Sequence, residues 1–170
     1  MSDLPAKATL SELLAIASAH QAAGDSAAAL AAFDRALPLL NRTDHANDRA
    51  RVLFQMAQLA RFEGQVARAF ALYDELLALA EELADHRAHG LAIAMRGQLV
   101  FMQGDKAAGI HAMIRGLEEL LRCKAAEAEH LTCHTRFFSR RLPRAEFERC
   151  VHGATADGAL RELLLKAEGC

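Results

Sequence analysis

His130 and His134 stand four residues apart with Cys133 beside the second, and no other residue set in this chain comes closer to a metal site. A helix carries positions i and i+4 on one face, and imidazole nitrogen and thiolate sulfur are ordinary zinc ligands. The same geometry argues against the site. Cys133 projects roughly 100° away from His134, no acidic residue lies between the histidines, and a fourth ligand must come from Cys123 or elsewhere. No metal or other cofactor is assigned. His86 and His89 fall in an expected solvated loop. The serines Ser2, Ser11, Ser18, Ser26 and Ser139 lack the neighbouring histidine and orienting carboxylate that nucleophilic catalysis needs. Glu81-Glu82 and Glu118-Glu119 read as solvated helix faces rather than an acid-base pair. No glycine loop follows a strand to cradle a phosphate. No catalytic residue is assigned, and the expectation is a protein that is not an enzyme.

Charge removes further classes. Twenty basic residues against 22 acidic ones leave a net charge of −2, which gives no long-range pull toward nucleic acid or an acidic membrane. Arg136-Phe-Phe-Ser-Arg-Arg-Leu-Pro-Arg144 is the one basic and aromatic stretch, and a helix with a wet arginine face and a buried Phe-Leu face explains it. Apolar runs are too short and too often broken by charge to span a bilayer, and Asp3 and Glu12 stand where a leader would carry basic residues. Cys123, Cys133, Cys150 and Cys170 form no C-x-x-C pair and read as reduced thiols. Cytoplasmic location is predicted, with neither nucleic acid nor membrane as a partner.

The elements that position these residues follow from three glycines forty residues apart, Gly24, Gly64 and Gly104. Around them five columns keep their character: Leu13, Leu53 and Ile93; Ala17, Ala57 and Gly97; Ala29, Ala69 and Gly109; Leu30, Phe70 and Ile110; Leu37, Leu77 and Leu117. Each copy reads as two antiparallel helices. Glycine ends the first helix in the left-handed conformation, Asp25, Gln65 or Asp105 starts the second, and the small residues mark where the helices cross. Ser26 to Leu40, with Leu30, Phe33 and Leu37 on one stripe, fits the second helix.

Ala29-x-x-x-Phe33 and Ala69-x-x-x-Tyr73 resemble the tetratricopeptide repeat (TPR) family, whose second helix pairs an alanine with an aromatic four residues later. The third copy holds Gly109 and Met113 there, and Leu13 and His20, Leu53 and Ala60, and Ile93 and Val100 replace the tryptophan and tyrosine usual in the first helix. The family's usual period is about 34 residues, so this chain looks like a long-hairpin variant with roughly six extra residues per unit, placed around Asn41–Asp48 and Leu83–Gly90. The resemblance implies an all-α fold: a right-handed α-solenoid of three TPR-like hairpins over residues 1–124 (about 10–41, 47–84 and 87–122), with residues 125–170 as a C-terminal helical cap of the same domain. Within that cap Pro143 and Gly153 are expected to separate three short helices, Thr155 to cap the last, and Leu160, Leu163, Leu164 and Ala167 to form its apolar stripe.

The resemblance further implies that the first helix of each hairpin lines a concave groove. The inward register holds Arg51, Phe54, Gln55, Gln58, Arg61 and Phe62 in the second copy, and Met95, Gln98, Phe101 and Met102 in the third, whereas Ser11, Ala15 and Ser18 leave the first copy bland. Amides interleaved with apolar residues suit the main chain and side chains of a bound peptide. Burial without partners is costly for such groups. The two arginines favour an acidic or mixed apolar-acidic segment. The function expected is a non-enzymatic interaction scaffold, adaptor or chaperone-like, that binds a peptide or helix of another protein. A sensory or regulatory helical module of a signalling or transcriptional system and a self-assembling homo-oligomer are the alternatives.

Overall fold

Several helices in this chain start where a side chain takes up a free amide, and several stop where one residue turns left-handed. The computed structural model describes residues 8–166, and among these nine α-helices follow one another without a strand. They are α1 (Leu10–Ala22), α2 (Ser26–Ala36), α3 (Ala46–Phe62), α4 (Val66–Glu82), α5 (His86–Met102), α6 (Lys106–Arg122), α7 (Glu127–Ser139), α8 (Arg144–Ala154) and α9 (Gly158–Leu165). Thr9 and Glu12 cap α1 reciprocally. Asp25, Asp85, Asp105 and Asp157 each accept a backbone N–H from the first turn of α2, α5, α6 and α9.

Reversal between helices repeats one device. Gly24, Gly64 and Gly104 take φ values of +77°, +72° and +108°, and Ala84 and Lys124 take +51° and +56°. The following amide then bonds back five residues, Asp25 N–H to His20 O at 2.9 Å, Gln65 to Ala60 at 2.8 Å, Asp85 to Ala80 at 2.9 Å and Ala125 to Leu120 at 2.9 Å. The expected loop from Leu83 to Gly90 is therefore a short turn, and His86 and His89 belong to the first turn of α5. His89 is half-buried, its Nδ1 2.7 Å from Glu119 and its Nε2 3.5 Å from Glu81.

The chain divides into two compact units, Met1–Leu79 and Ala80–Cys170. In the first, Leu13, Ala17, Leu30 and Phe33 fill the α1–α2 hairpin, while Leu53, Met56, Tyr73 and Leu76 are buried in the second. Pro38 lies in a single 3₁₀ turn, Leu37–Leu39, so α2 ends earlier than the stripe through Leu40 suggests. Without an amide proton, Pro38 cannot continue the helical ladder. Arg49 compensates for the carbonyls left over. Its Nη1 donates to Leu37 O at 3.1 Å and Leu40 O at 2.7 Å while its Nη2 pairs with Glu75.

In the second unit, α5 and α6 cross at backbone contact. A Cβ on Gly116 would stand 2.4 Å from Gly90 O and 2.8 Å from Ala94, and one on Gly109 would stand 2.6 Å from Phe101. Helix α7 lies against α5. Arg87 pairs with Glu127 at its start, and the Phe101 and Phe138 rings meet edge to face at 5.0 Å near its end. Helix α8 lies against α6, with Cys150 Sγ 3.8 Å from Ala107 O. Leu160 and Leu164 of α9 are buried, Leu163 is half-exposed, and Ala167 lies outside the described residues. Arg136 donates to Leu163 O and Arg144 to Leu165 O, so two arginines of the basic stretch serve the last carbonyls of α9 rather than solvent.

Three local expectations are corrected. Gly153 is inside α8, because only His111 approaches it and a helical glycine costs about 1 kcal/mol. Asp157 caps α9 in place of Thr155, whose hydroxyl accepts the Asp157 amide at 3.0 Å. Cys123 and Cys150 are free, but Cys133 is disulfide-bonded and not a reduced thiol; Cys170 lies outside the described residues.

The crossing predicts opposite outcomes for two alanine substitutions. Gly116→Ala should destabilise by about 1–3 kcal/mol despite better helix propensity, because its methyl meets backbone that cannot swing aside. Gly153→Ala should be neutral or stabilise by up to about 1 kcal/mol. Urea midpoints check both, and equal effects would contradict the close crossing. The Arg87 hydrogen bonds hold the Glu127 carboxyl below the usual glutamate range. Its stabilisation is therefore complete above about pH 4.3 and fades as pH falls through the lowered folded value. Glu127→Gln should lower the melting temperature near neutrality and converge with the unsubstituted chain in acid; a gap independent of pH would refute the linkage.

Candidate functional site

Helix α3 brings polar and apolar groups of the second hairpin onto one surface of the Met1–Leu79 unit. Phe54 is half-buried and meets the Tyr73 ring edge-on at 6.4 Å and 65°. One turn on, Gln58 Oε1 accepts from Arg61 Nε at 3.3 Å and Nη2 at 3.1 Å. The Arg61 guanidinium sits 4.4 Å from the centre of the Phe62 ring, and Phe62 is 71% exposed. No carboxylate pairs with Arg61 among the described residues. A neutral amide thus fixes the guanidinium without cancelling its charge. Arg51, exposed, lies 3.0 Å from Asp48 on its own helix, a surface pair worth at most about 1 kcal/mol. Gln55 is half-buried, its Oε1 buried with no hydrogen-bond partner.

Helix α5 behaves differently. Met95 and Phe101 are buried and Gln98 is 2% exposed, with its Nε2 3.0 Å from His134 Nδ1. These three residues, expected to face a partner, are occupied by the chain itself. Side chains of α7 reach two of them, His134 at Gln98 and Phe138 at Phe101, and the amide whose burial would be costly alone is satisfied by an imidazole. Met102 is 56% exposed. In the first hairpin Ser11, Ala15 and Ser18 are exposed and small.

His134 is engaged with Gln98, its ring 4.3 Å from that of exposed His130. The Cys133 thiol is committed to a disulfide. Among the described residues no group of three or more His, Cys, Asp or Glu side chains is placed to hold a metal ion. The role of α7 was not legible beforehand, since Gln98 and His134 are far apart in sequence and no periodic signal joins them.

Residues 8–82 match the family model of the tetratricopeptide repeat. Over this segment the chain is similar to the tetratricopeptide repeat family. No curated protein matches it significantly. Tetratricopeptide repeats generally mediate protein–protein interactions, and the family is typically a non-enzymatic scaffold. The matched segment contains α1 to α4, and with them the whole α3 surface. No helix among the described residues is long and apolar enough to cross a membrane.

Tyr73 is the chain's only tyrosine, and tryptophan is absent, so it reports the packing behind α3 without interference. Burial pushes its phenol well above the ordinary range, opposed weakly by the Arg61 charge. The native protein should develop no phenolate absorbance near pH 10, whereas the urea-unfolded chain should titrate at about 10. Stability must then decline above that pH, because only the unfolded state readily loses the proton. A native titration at the ordinary tyrosine value would show that Phe54 and Tyr73 are not packed as described.

Proposed function

We propose that the chain is a non-enzymatic interaction scaffold that holds a peptide segment of another protein on the α3 surface of its tetratricopeptide repeats. The observation that carries this reading is the Gln58–Arg61–Phe62 cluster. A large aromatic ring is presented to solvent beneath a guanidinium that has a neutral hydrogen-bond partner and no anion. Such a surface gains from an apolar side chain laid on Phe62 and a carboxylate brought to Arg61, each contact removing water from a group already held in place. Phe54 extends the apolar part, and Arg51 adds a second cation that Asp48 holds only loosely at the surface. An acidic or mixed apolar-acidic segment is the matching occupant. An adaptor or chaperone-like role is the setting this reading implies.

The burial of Met95, Gln98 and Phe101 narrows the proposal to the second hairpin, so α3 substitutions should suffice to abolish it. Affinity capture from the source cell compares the native chain with the Arg61→Glu/Phe62→Ser double variant, both sites being on the surface and the variant's melting checked. A protein retained by the native chain and lost by the variant is the expected result, with binding weakened roughly a hundredfold. Equal retention by both proteins removes α3 from the binding surface. Loss of a second copy of the chain itself, seen by sedimentation, would reassign the cluster to self-assembly.

A further inference from the structure

Helix α7 follows a left-handed turn at Lys124 that matches the turn at Ala84 preceding α5, so the two helices share a register forty residues apart. The α5 residues that face its hairpin partner are Gly90, Ala94, Gly97 and Phe101, each identified by its proximity to α6. Their counterparts on α7 are His130, His134, Phe137 and Arg141. On α5 this seam is covered by α6. On α7 His130, Phe137 and Arg141 stay exposed, and after Pro143 the chain forms α8, which lies against α6 instead, near Ala107 and His111.

The uncovered seam carries flat side chains where α5 carries small ones. The His130 and His134 rings lie 4.3 Å apart, and the Arg141 guanidinium lies 5.2 Å from the Phe137 ring and 5.7 Å from Phe138. Phe137 is 52% exposed, and His130, Arg140 and Arg141 are exposed. Among the described residues neither Arg140 nor Arg141 has a carboxylate partner, and Lys106 Nζ donates to Arg141 O at 3.3 Å, which adds a third cation at the same end. Glu127 is held by Arg87, Glu148 by Arg144, and Glu129 stands at the opposite end of α7, in its first turn; Glu146 lies in the first turn of α8.

We propose that this face of α7 docks an acidic amphipathic helix from another protein, which takes the place that α6 occupies on α5. The partner's apolar stripe covers Phe137 and the adjoining imidazoles, and its flanking carboxylates meet Arg140, Arg141 and Lys106. These rings, larger than glycine, hold the incoming helix farther off than the contact of α5 and α6, so the seam accepts leucine-sized side chains. This surface is separate from the α3 cluster and uses none of its residues.

The probe is a synthetic helical peptide with leucines at i, i+3, i+4 and i+7 and glutamates elsewhere, titrated into the full isotope-labelled chain and followed by amide chemical shifts. Saturable shifts centred on residues 127–144 are expected. Affinity should weaken at least roughly tenfold in Phe137→Ser and in Arg141→Gln, and by a similar factor when the peptide glutamates become glutamines. The Arg61→Glu/Phe62→Ser variant should bind the peptide unchanged, which keeps this test apart from that of the α3 surface. Arg141→Gln alters only an exposed side chain and covers the case in which Phe137→Ser melts early. Absence of saturable shifts on α7 overturns the proposal, as does equal affinity for the glutamine peptide. Binding to phosphatidylserine vesicles with the same residue dependence, but not to the peptide, overturns it in favour of a lipid surface. A dimer that Phe137→Ser dissociates overturns it in favour of a second copy.

Discussion

The way the chain reverses direction governs everything else in it. A single left-handed residue, followed by an amide that bonds five residues back, leaves almost no loop between helices and forces the next helix to run antiparallel beside the last. With so short a connection the register of each hairpin has no slack. A slip of one residue would rotate a helix by about 100° and bring Leu91 or Arg115 to the line where Gly90 and Gly116 now meet. The glycines of the crossing are thus a consequence of the turn. Once it fixes which residues oppose one another, only a side chain no larger than hydrogen fits at a Cβ position 2.4 Å from a carbonyl oxygen.

This constraint also explains which parts of the fold could be read from the letters alone. Gly24, Gly64 and Gly104 announce their turns because glycine enters the left-handed region freely. Ala84 and Lys124 make the same turn at a cost on the order of 1–2 kcal/mol, and alanine is locally the strongest signal to continue a helix. Tertiary packing overrides local preference there, and a loop was expected in place of a turn. Gly153 lies one residue before the end of α8, so the break it marks is displaced only slightly. Pro38 and Asp157 act locally, through a missing amide proton and an Asx cap, yet a helix through Leu40 and a Thr155 cap were expected in their place.

The candidate surface was legible by halves for the same reason. The α3 residues are decided by their own helix: Gln58, Arg61 and Phe62 interact within one turn, so spacing alone brings them together. The α5 residues are decided by α7, whose contacts Gln98–His134 and Phe101–Phe138 join distant stretches of sequence. A buried amide needs a partner, but that need is met equally by another protein or by the chain's own later helix.

Arginine use distinguishes structural from presented charge throughout the described residues. Arg49, Arg68 and Arg87 pair with Glu75, Asp34 and Glu127, and Arg136 and Arg144 donate to the final carbonyls of α9. Each of these cations is matched to an anion or a helix end and so contributes to holding elements together. Arg61 and Arg141 are matched instead to exposed phenylalanine rings. Stacking on a ring costs a guanidinium little of its hydration and none of its charge, so the cation remains able to attract a carboxylate while the ring remains able to bury an apolar group. A basic segment would meet repulsion at both places, and a purely apolar one would leave the guanidinium desolvated without compensation. The proposed selectivity for acidic, apolar segments rests on that pairing, even in a protein whose net charge is itself slightly negative.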